Sequence, residues 1–221
     1  MKLESLGFGL RIMMYHSIAD NPNDPHAVHP DHFSAQIAFI AARYQVVDLL
    51  TAVTELRQWR HLVNTVALTF DDAYADFLEN AAPVLKRYCL PATLFVPTGL
   101  LGRTAEWDSY DKSKPLMDLR ALLEVQRLGF QIGSHTVTHP RLTDCNDKVL
   151  HFELRESREY LRLHVPDSFV PILSYPGGYF GPREIRAARQ AGFVAGLGTA
   201  SRLANFPWSN PFRLRRARWI A

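Results

Sequence analysis

An apolar run that ends in two adjacent carboxylates constrains this chain more than any other feature of its sequence. Residues 65–70, TVALTF, form a short apolar segment, and Asp71 and Asp72 follow it directly. An ionised carboxylate in an apolar setting is strongly disfavoured unless a metal, a proton or a cation pairs with it. The sequence therefore predicts a buried strand with a charged site at its end and a partner for these acids elsewhere in the chain.

Length and charge limit the classes of protein to consider. The chain has 221 residues, a size that one α/β barrel or large sheet domain can occupy. With 47% hydrophobic and 21% charged residues it can bury a substantial core, so we predict a single globular domain over 1–221. A net charge of +3 does not by itself indicate a nucleic-acid partner, and we expect none.

The cysteines and the apolar segments predict the redox state of the thiols and the location of the protein. Cys89 and Cys145 have no cysteine neighbour at metal-binding spacing and are predicted to be free thiols. No signal peptide and no apolar run of about 20 residues is recognisable, so we expect a cytoplasmic protein, in contact with the inner membrane face if its basic tail binds anionic lipid.

Short apolar runs alternate with amphipathic segments six or seven times along the chain. Such alternation predicts a mainly parallel α/β sheet or barrel. Polar residues recur where the predicted strands end, at His16, Asp71 with Asp72, His135 and Ser174. In α/β barrels the carboxyl ends of the strands are where active sites form.

The segment GSHTVTHP places His135 and His139 four residues apart after an apolar strand. This spacing lets two imidazoles face one metal ion, although histidine pairs at this spacing are also common without a metal. Asp72 would complete a set of two histidines and one carboxylate, which suits zinc and also cobalt or nickel. The alternative for the two aspartates is a helix N-terminus, one acid as the cap and the other beside the helix dipole.

Three motifs together resemble a known family. TFDD at 69–72, SHTVTH at 134–139 and SYPGG at 174–178 are similar to the first three motifs of the polysaccharide deacetylases, carbohydrate esterase family 4 with the NodB homology domain. The resemblance implies a NodB-like, distorted (β/α) barrel of about seven parallel strands. It also implies Asp71 as general base and Asp72, His135 and His139 as metal ligands.

The chain departs from the family pattern at two points. The arginine that commonly begins the third motif is replaced by Ser174, and no histidine follows His164 to supply the usual general acid. The N-terminal MMYHSI, however, resembles the start of circularly permuted members such as the poly-N-acetylglucosamine deacetylases. That resemblance implies His16 as general acid, whereas the residue alone favours a histidine satisfied in the core or a loop.

The arginine-rich tail offers a replacement for the missing cation. Either Arg213 or Arg216 could reach Asp71 from a final strand predicted over 212–220. A basic edge strand, or a patch for anionic lipid, explains these arginines equally well.

The turn SYPGG and several aromatic residues complete the predicted site. The turn of Tyr175, Pro176 and Gly177 can aim a backbone N–H, that of Gly177, at a developing oxyanion. At most two of four aromatic residues are expected to stack on sugar: Trp107, Tyr110, Tyr175 and Tyr179. The remaining histidines are assigned to loops or helix surfaces: His26, His29, His32, His61, His151 and His164.

The predicted function is metal-dependent amide hydrolysis, in which a metal-bound water removes an acetyl group from an N-acetylated sugar, glycan or glycolipid. Zinc is the favoured metal. Two rivals stand beside this prediction: a deacylase acting on another amide or an O-acetyl ester, and an inactive relative that only binds glycan.

Overall fold

Strands and helices alternate throughout the part of the chain that the computed structural model describes, residues 9–60, 62–199 and 204–218. The strands are β1 (Leu10–Tyr15), β2 (Gln45–Val46), β3 (Thr65–Phe70), β4 (Thr93–Val96), β5 (Gln131–Ser134), β6 (Phe169–Ser174) and β7 (Ala195–Leu197). The α-helices are α1 (Pro30–Arg43), α2 (Leu49–Arg57), α3 (Ala82–Arg87), α4 (Leu119–Arg127), α5 (Asp147–His164) and α6 (Pro182–Gln190). His61 and the end of the predicted terminal strand lie outside the described residues.

Side-chain caps set where several helices begin. Asp48, Asp118 and Asn146 each accept a hydrogen bond from a backbone N–H in the first turn of α2, α4 and α5, at 2.8, 2.7 and 3.0 Å. Such caps satisfy N–H groups that have no partner inside the helix. The amphipathic segments recognised in the sequence therefore start at polar residues that end the preceding loops.

The strands form one parallel sheet. Its order is β1-β3-β4-β5-β6-β7. The short strand β2 pairs with the first residues of β3, and β4 pairs with the last residues of β3 on the same side. All the strand pairs are parallel, which confirms the predicted mainly parallel α/β fold of about seven strands. Parallel pairing also places every strand's carboxyl end at the same rim.

The tail links the two edges of this sheet. Leu214 bridges β7 at Leu197, and Ala217 bridges β1 at Met13, both in parallel orientation. The predicted final strand is thus reduced to two single bridges that follow a short 3-10 turn, Pro211–Arg213. The tail nevertheless places Arg216 between β7 and β1.

Side chains alternate across the strands. In β3, Val66, Leu68 and Phe70 pack in the core that includes residues of α1, α3 and α4. Ala67 faces the opposite way, toward a second core with Phe95 and residues of β6 and β7. Because the period is two, Asp71 follows Ala67 and Thr69 toward the interior at the barrel rim.

Helix does not begin directly after the carboxylates. Asp72 and Ala73 form a turn, a π-helical turn spans Phe77–Ala81, and α3 follows. Positive φ angles at Asp72 and Ala73 prevent an immediate helix start. Among the described residues, no helix is both long and apolar enough to cross a membrane.

Candidate functional site

A strained turn separates the two carboxylates. Asp71 continues the β3 pairing, because its backbone N–H donates to the carbonyl of Tyr15 at 2.9 Å. Asp72 and Ala73 then adopt φ values of 74° and 56°. Left-handed backbone at a non-glycine residue costs on the order of 1–3 kcal/mol and is concentrated at functional sites. The turn places the two acids in different surroundings, so they can serve different purposes.

Arg216 pairs with Asp71 through two hydrogen bonds. Its Nη1 and Nη2 atoms donate to the two Asp71 carboxylate oxygens, each at 2.7 Å. Nη2 also donates to Ser174 Oγ at 2.8 Å, and that hydroxyl donates to Asp71 at 3.2 Å. Burial opposes ionisation of Asp71, but the guanidinium outweighs it and holds the pKa of Asp71 below its ordinary value. The network thus stabilises an oriented, ionised carboxylate.

The second candidate arginine does not reach the site. Arg213 is exposed and lies in the 3-10 turn before the tail bridges β7. Three residues further on, Arg216 lies between the two bridged positions and is almost completely buried. The idea that Arg213 orients Asp71 is therefore wrong for geometric reasons. Arg213, Arg215 and Arg218 are exposed, so contact with an anionic membrane surface stays a prediction.

Asp72, His135 and His139 form a group that could hold a metal ion. The Nε2 atoms of both histidines lie 3.3 Å from Asp72 Oδ1, and one ligand atom from each residue lies within 4.8 Å of the others. Asp72 Oδ1 is buried and has no hydrogen-bond partner among the described residues. Burial alone would raise the pKa of Asp72, yet the two imidazoles hold it well below its usual range. An orphaned carboxylate oxygen facing two imidazole nitrogens fits a divalent cation.

Neighbouring groups orient both imidazoles. His135 Nδ1 lies 2.8 Å from the carbonyl oxygen of Ser174, which makes Nδ1 the donor, so that in the neutral ring Nε2 is the nitrogen available to a metal ion. The His139 ring stacks on Trp107 with centroids 4.3 Å apart. The orientation of each ring is therefore determined by a residue from another part of the chain.

His16 lies at the same rim, at the end of β1. It lines a pocket of about 220 Å³ together with Asp71 and the candidate metal ligands. Burial lowers the pKa of His16 to about 4, and the charges of Asp72 and Asp71 offset this only in part. The imidazole is consequently neutral at pH 7 in this structure.

A second histidine, His26, was assigned to a surface loop from sequence but lines the pocket. Its ring centroid lies 5.0 Å from that of His16, and its Nδ1 atom is buried without a hydrogen-bond partner among the described residues. The loop is held because Asp24 accepts a hydrogen bond from the His26 backbone N–H and pairs with Lys114. That link spans 90 positions, so no local pattern could have revealed it.

The turn after β6 leaves one backbone amide available. The N–H of Tyr175 donates to Leu197, and that of Gly178 donates to Tyr175. Pro176 has no N–H. Gly177, with φ 62°, lines the pocket, and its N–H has no acceptor among the described residues. Of the three residues predicted to bind the oxyanion, Gly177 is therefore the one with a free backbone N–H. Tyr175 and Pro176 contribute the shape of the turn.

The four aromatic residues considered for sugar stacking differ in their accessibility. Trp107, Tyr110 and Tyr175 line the pocket, but Tyr175 is fully buried and donates its hydroxyl to the Phe212 carbonyl. Tyr179 is half exposed beneath the Arg141 guanidinium and is not among the lining residues. Of these four residues, Trp107 and Tyr110 therefore combine a place in the pocket lining with exposed aromatic surface.

The pocket wall includes Asp108, which the motifs did not reveal and which belongs to a buried group of charged residues. Lys114 pairs with both Asp24 and Asp108, and Tyr74 donates its hydroxyl to Asp108 at 3.1 Å. Burial of Lys114 favours its neutral form, but the two carboxylates raise its pKa overall. The ion pairs join the loop that carries His26 to the long loop that carries Trp107.

The chain is similar to known proteins in sequence and in fold. Residues 61–196 match the family model for polysaccharide deacetylase. The chain is 28% identical over 192 residues to the Bacillus subtilis (strain 168) protein YxkH, covering 86% of this chain and 64% of that protein. It is 25% identical over 198 residues to the poly-beta-1,6-N-acetyl-D-glucosamine N-deacetylase of Staphylococcus epidermidis, covering 86% of this chain and 67% of that protein.

Two solved structures have the same fold. The Streptococcus pyogenes deacetylase PplD, determined in complex with acetate, superposes with a TM-score of 0.82 at 26% identity, covering 96% of this chain and 92% of that one. IcaB from Ammonifex degensii superposes with a TM-score of 0.84 at 21% identity, covering 98% and 94%. The latter likeness concerns the fold alone.

Proposed function

Because the chain belongs to the polysaccharide deacetylase family, we propose that it removes acetyl groups from N-acetylated sugars by metal-dependent hydrolysis. One observation carries the proposal: the orphaned Asp72 oxygen faces two imidazoles, and the neighbouring Asp71 is held ionised by a buried arginine. Two acids on one turn are thus prepared for different tasks, one to hold a cation and one to accept a proton.

Asp72, His135 and His139 would hold the ion. When bound, a divalent ion of this kind polarises a carbonyl and lowers the pKa of water. Two histidine nitrogens and a carboxylate suit zinc first, and cobalt or nickel also accept such ligands.

Asp71 takes the proton of the attacking water in this scheme. Its lowered pKa makes it a weak base that is fully ionised near neutrality, so it depends on a water that is already acidified. The bidentate pair with Arg216 fixes the direction of its lone pairs. The Gly177 N–H is free to donate to the oxygen that becomes negative as the acetamide carbonyl is attacked.

His16 donates a proton to the departing amine. Because its imidazole is neutral at pH 7 in the resting site, it must take up a proton from solvent during turnover, separate from the water proton that Asp71 accepts. Negative charge that develops on the substrate in a buried pocket raises the pKa of a nearby imidazole. The proposed role therefore requires that His16 be protonated as the reaction proceeds.

The substrate is proposed to be an oligomer or polymer of N-acetylglucosamine. Relatives of this chain include enzymes named for poly-beta-1,6-N-acetyl-D-glucosamine and for chitooligosaccharide. Trp107 and Tyr110 supply aromatic surface at the pocket, which suits a sugar ring. The alternative function, an inactive relative that only binds glycan, was based on the missing motif-three arginine and C-terminal histidine. Arg216 and His16 line the pocket and can take the place of those two residues, which favours the enzyme.

Acetate release from N-acetylglucosamine oligomers tests the proposal, measured with protein treated with a chelator and then resupplied with zinc, cobalt or nickel. We expect release only with metal. Asp71→Asn should abolish release while about one metal ion per chain remains bound, because Asp71 is not a ligand. Asp144→Asn, at an exposed aspartate, is the matched control and should keep activity. Activity that persists without metal, or in Asp71→Asn, would contradict the proposal.

A further inference from the structure

The loop that carries both candidate histidine ligands contains strained backbone. Thr136 and His139 adopt φ values of 71° and 58°, and with Asp72 and Ala73 they make up four of the seven described non-glycine residues with positive φ. Such conformations persist only where surrounding contacts over-determine them. Something must therefore hold the loop in the shape that aims His139 at Asp72.

Helix α5 supplies those contacts through Glu153, a residue that neither the motifs nor the proposed chemistry uses. Its Oε2 atom accepts hydrogen bonds from the backbone N–H groups of Val137 and Thr138 at 2.7 and 2.9 Å. Its Oε1 atom accepts from the Thr138 hydroxyl at 2.6 Å. Three donors from the two residues immediately before His139 thus bind to this one carboxylate.

A second contact lies one helical turn further along α5. Ser157 Oγ donates to the Glu153 carbonyl at 2.6 Å and lies 2.8 Å from Ser134 Oγ. Ser134 Oγ in turn accepts from the Thr136 N–H at 3.1 Å. The helix therefore holds both the start and the end of the strained loop.

Packing alone does not account for a glutamate at this position. Glu153 is 3% exposed, and its helix neighbour Leu154 is part of an apolar core. Burying a carboxylate costs several kcal/mol unless strong hydrogen bonds offset the loss of water. The donors that offset it here all belong to the loop between His135 and His139, so the carboxylate and the loop geometry depend on each other.

We propose that Glu153 is a positioning residue that sets metal affinity by holding the 136–139 loop, so that His139 Nε2 faces Asp72 without further rearrangement. This inference rests on the proposed metal site. If Glu153 is lost, the loop can relax from its strained conformation, and metal binding must then restore that strain. Groups that orient metal ligands in this way typically change affinity by about 10- to 100-fold.

Zinc titration of the chelator-treated full chain tests the proposal, with unfolding temperature measured for each variant. We expect Glu153→Ala to raise the zinc dissociation constant by about 10- to 100-fold. Glu153→Gln keeps acceptor oxygen for the backbone donors and should show a smaller rise. Glu156→Gln, at an exposed glutamate of the same helix, should bind zinc like the unaltered protein.

A further variant separates positioning from general stability. Leu154→Ala removes core packing from the same helix without touching the loop contacts, so it should lower the unfolding temperature and leave zinc affinity unchanged. Equal zinc affinity in Glu153→Gln and the unaltered protein would overturn the proposal even if Glu153→Ala fails to fold. A loss of affinity in Leu154→Ala as large as in the Glu153 variants would overturn it as well. Failure of the unaltered chain to bind zinc would instead refute the metal site itself.

Discussion

Replacing Arg216 with methionine gives the most informative perturbation of this site. The guanidinium is fully buried and makes two 2.7 Å hydrogen bonds to Asp71, so its removal leaves a buried carboxylate without its cation. Removing one partner of a buried pair costs about 3–5 kcal/mol. At about 2–4 °C per kcal/mol for a chain of this size, the unfolding temperature should fall by roughly 6–20 °C.

The pH dependence of this loss identifies its cause. In the unaltered protein the pKa of Asp71 is lowered, so its contribution to stability is present above the unfolded pKa and is lost as pH falls through the folded pKa. Without Arg216, burial is the largest remaining influence and raises the pKa of Asp71 above its ordinary value. The methionine variant should therefore lose more stability as pH rises, by up to about 1.4 kcal/mol per pH unit.

Thermal and denaturant unfolding of metal-free protein between pH 4.5 and 8 would measure this effect. Arg213→Ala is the matched control, because Arg213 is exposed three residues away and should change stability by less than about 0.5 kcal/mol. In Asp71→Asn with Arg216→Met the buried charge is gone, so the double variant should be more stable than Arg216→Met alone at pH 8. A stability loss that is the same at every pH, or equal for the two arginines, would refute the reasoning.

Two further predictions concern turnover. His16→Gln should lower kcat by about 10²- to 10⁴-fold with metal stoichiometry unchanged, because it removes only the proton donor. His32→Gln, at an exposed histidine, is the control. An unchanged kcat in His16→Gln would rule out His16 as the general acid. Trp107→Ala should raise KM for N-acetylglucosamine oligomers by roughly 2- to 15-fold, because an aromatic contact contributes about 0.5–1.5 kcal/mol. Tyr179→Ala, outside the pocket, should leave KM unchanged. Equal effects of the two substitutions would argue against sugar stacking at Trp107.

Local sequence was enough to predict the parts of the site that lie on single strand ends. The apolar run over residues 65–70 predicts a buried strand, and parallel strands bring their carboxyl ends to one rim. The four-residue spacing of His135 and His139 likewise places both rings near one point. For these features the relevant distances along the chain are short, and backbone geometry transmits them directly.

Contacts between distant segments could not be predicted in the same way. His26 reaches the pocket because Asp24 pairs with Lys114, 90 positions away. Glu153 contacts a loop that precedes it by 15 to 16 residues, and only the packing of α5 against β5 brings them together. Side-chain pairs of this kind depend on how whole elements pack, and no repeating pattern in the sequence encodes that.

The two carboxylates after β3 separate what the sequence determines from what the tertiary structure determines. The sequence by itself determined that a buried strand ends in two acids, and that these acids need a cation, because charge in an apolar setting must be offset. Only the tertiary structure decided which cation serves Asp71. The tail bridges β7 at Leu214 and β1 at Ala217, and this closure buries Arg216 against Asp71 while it leaves Arg213 in solvent.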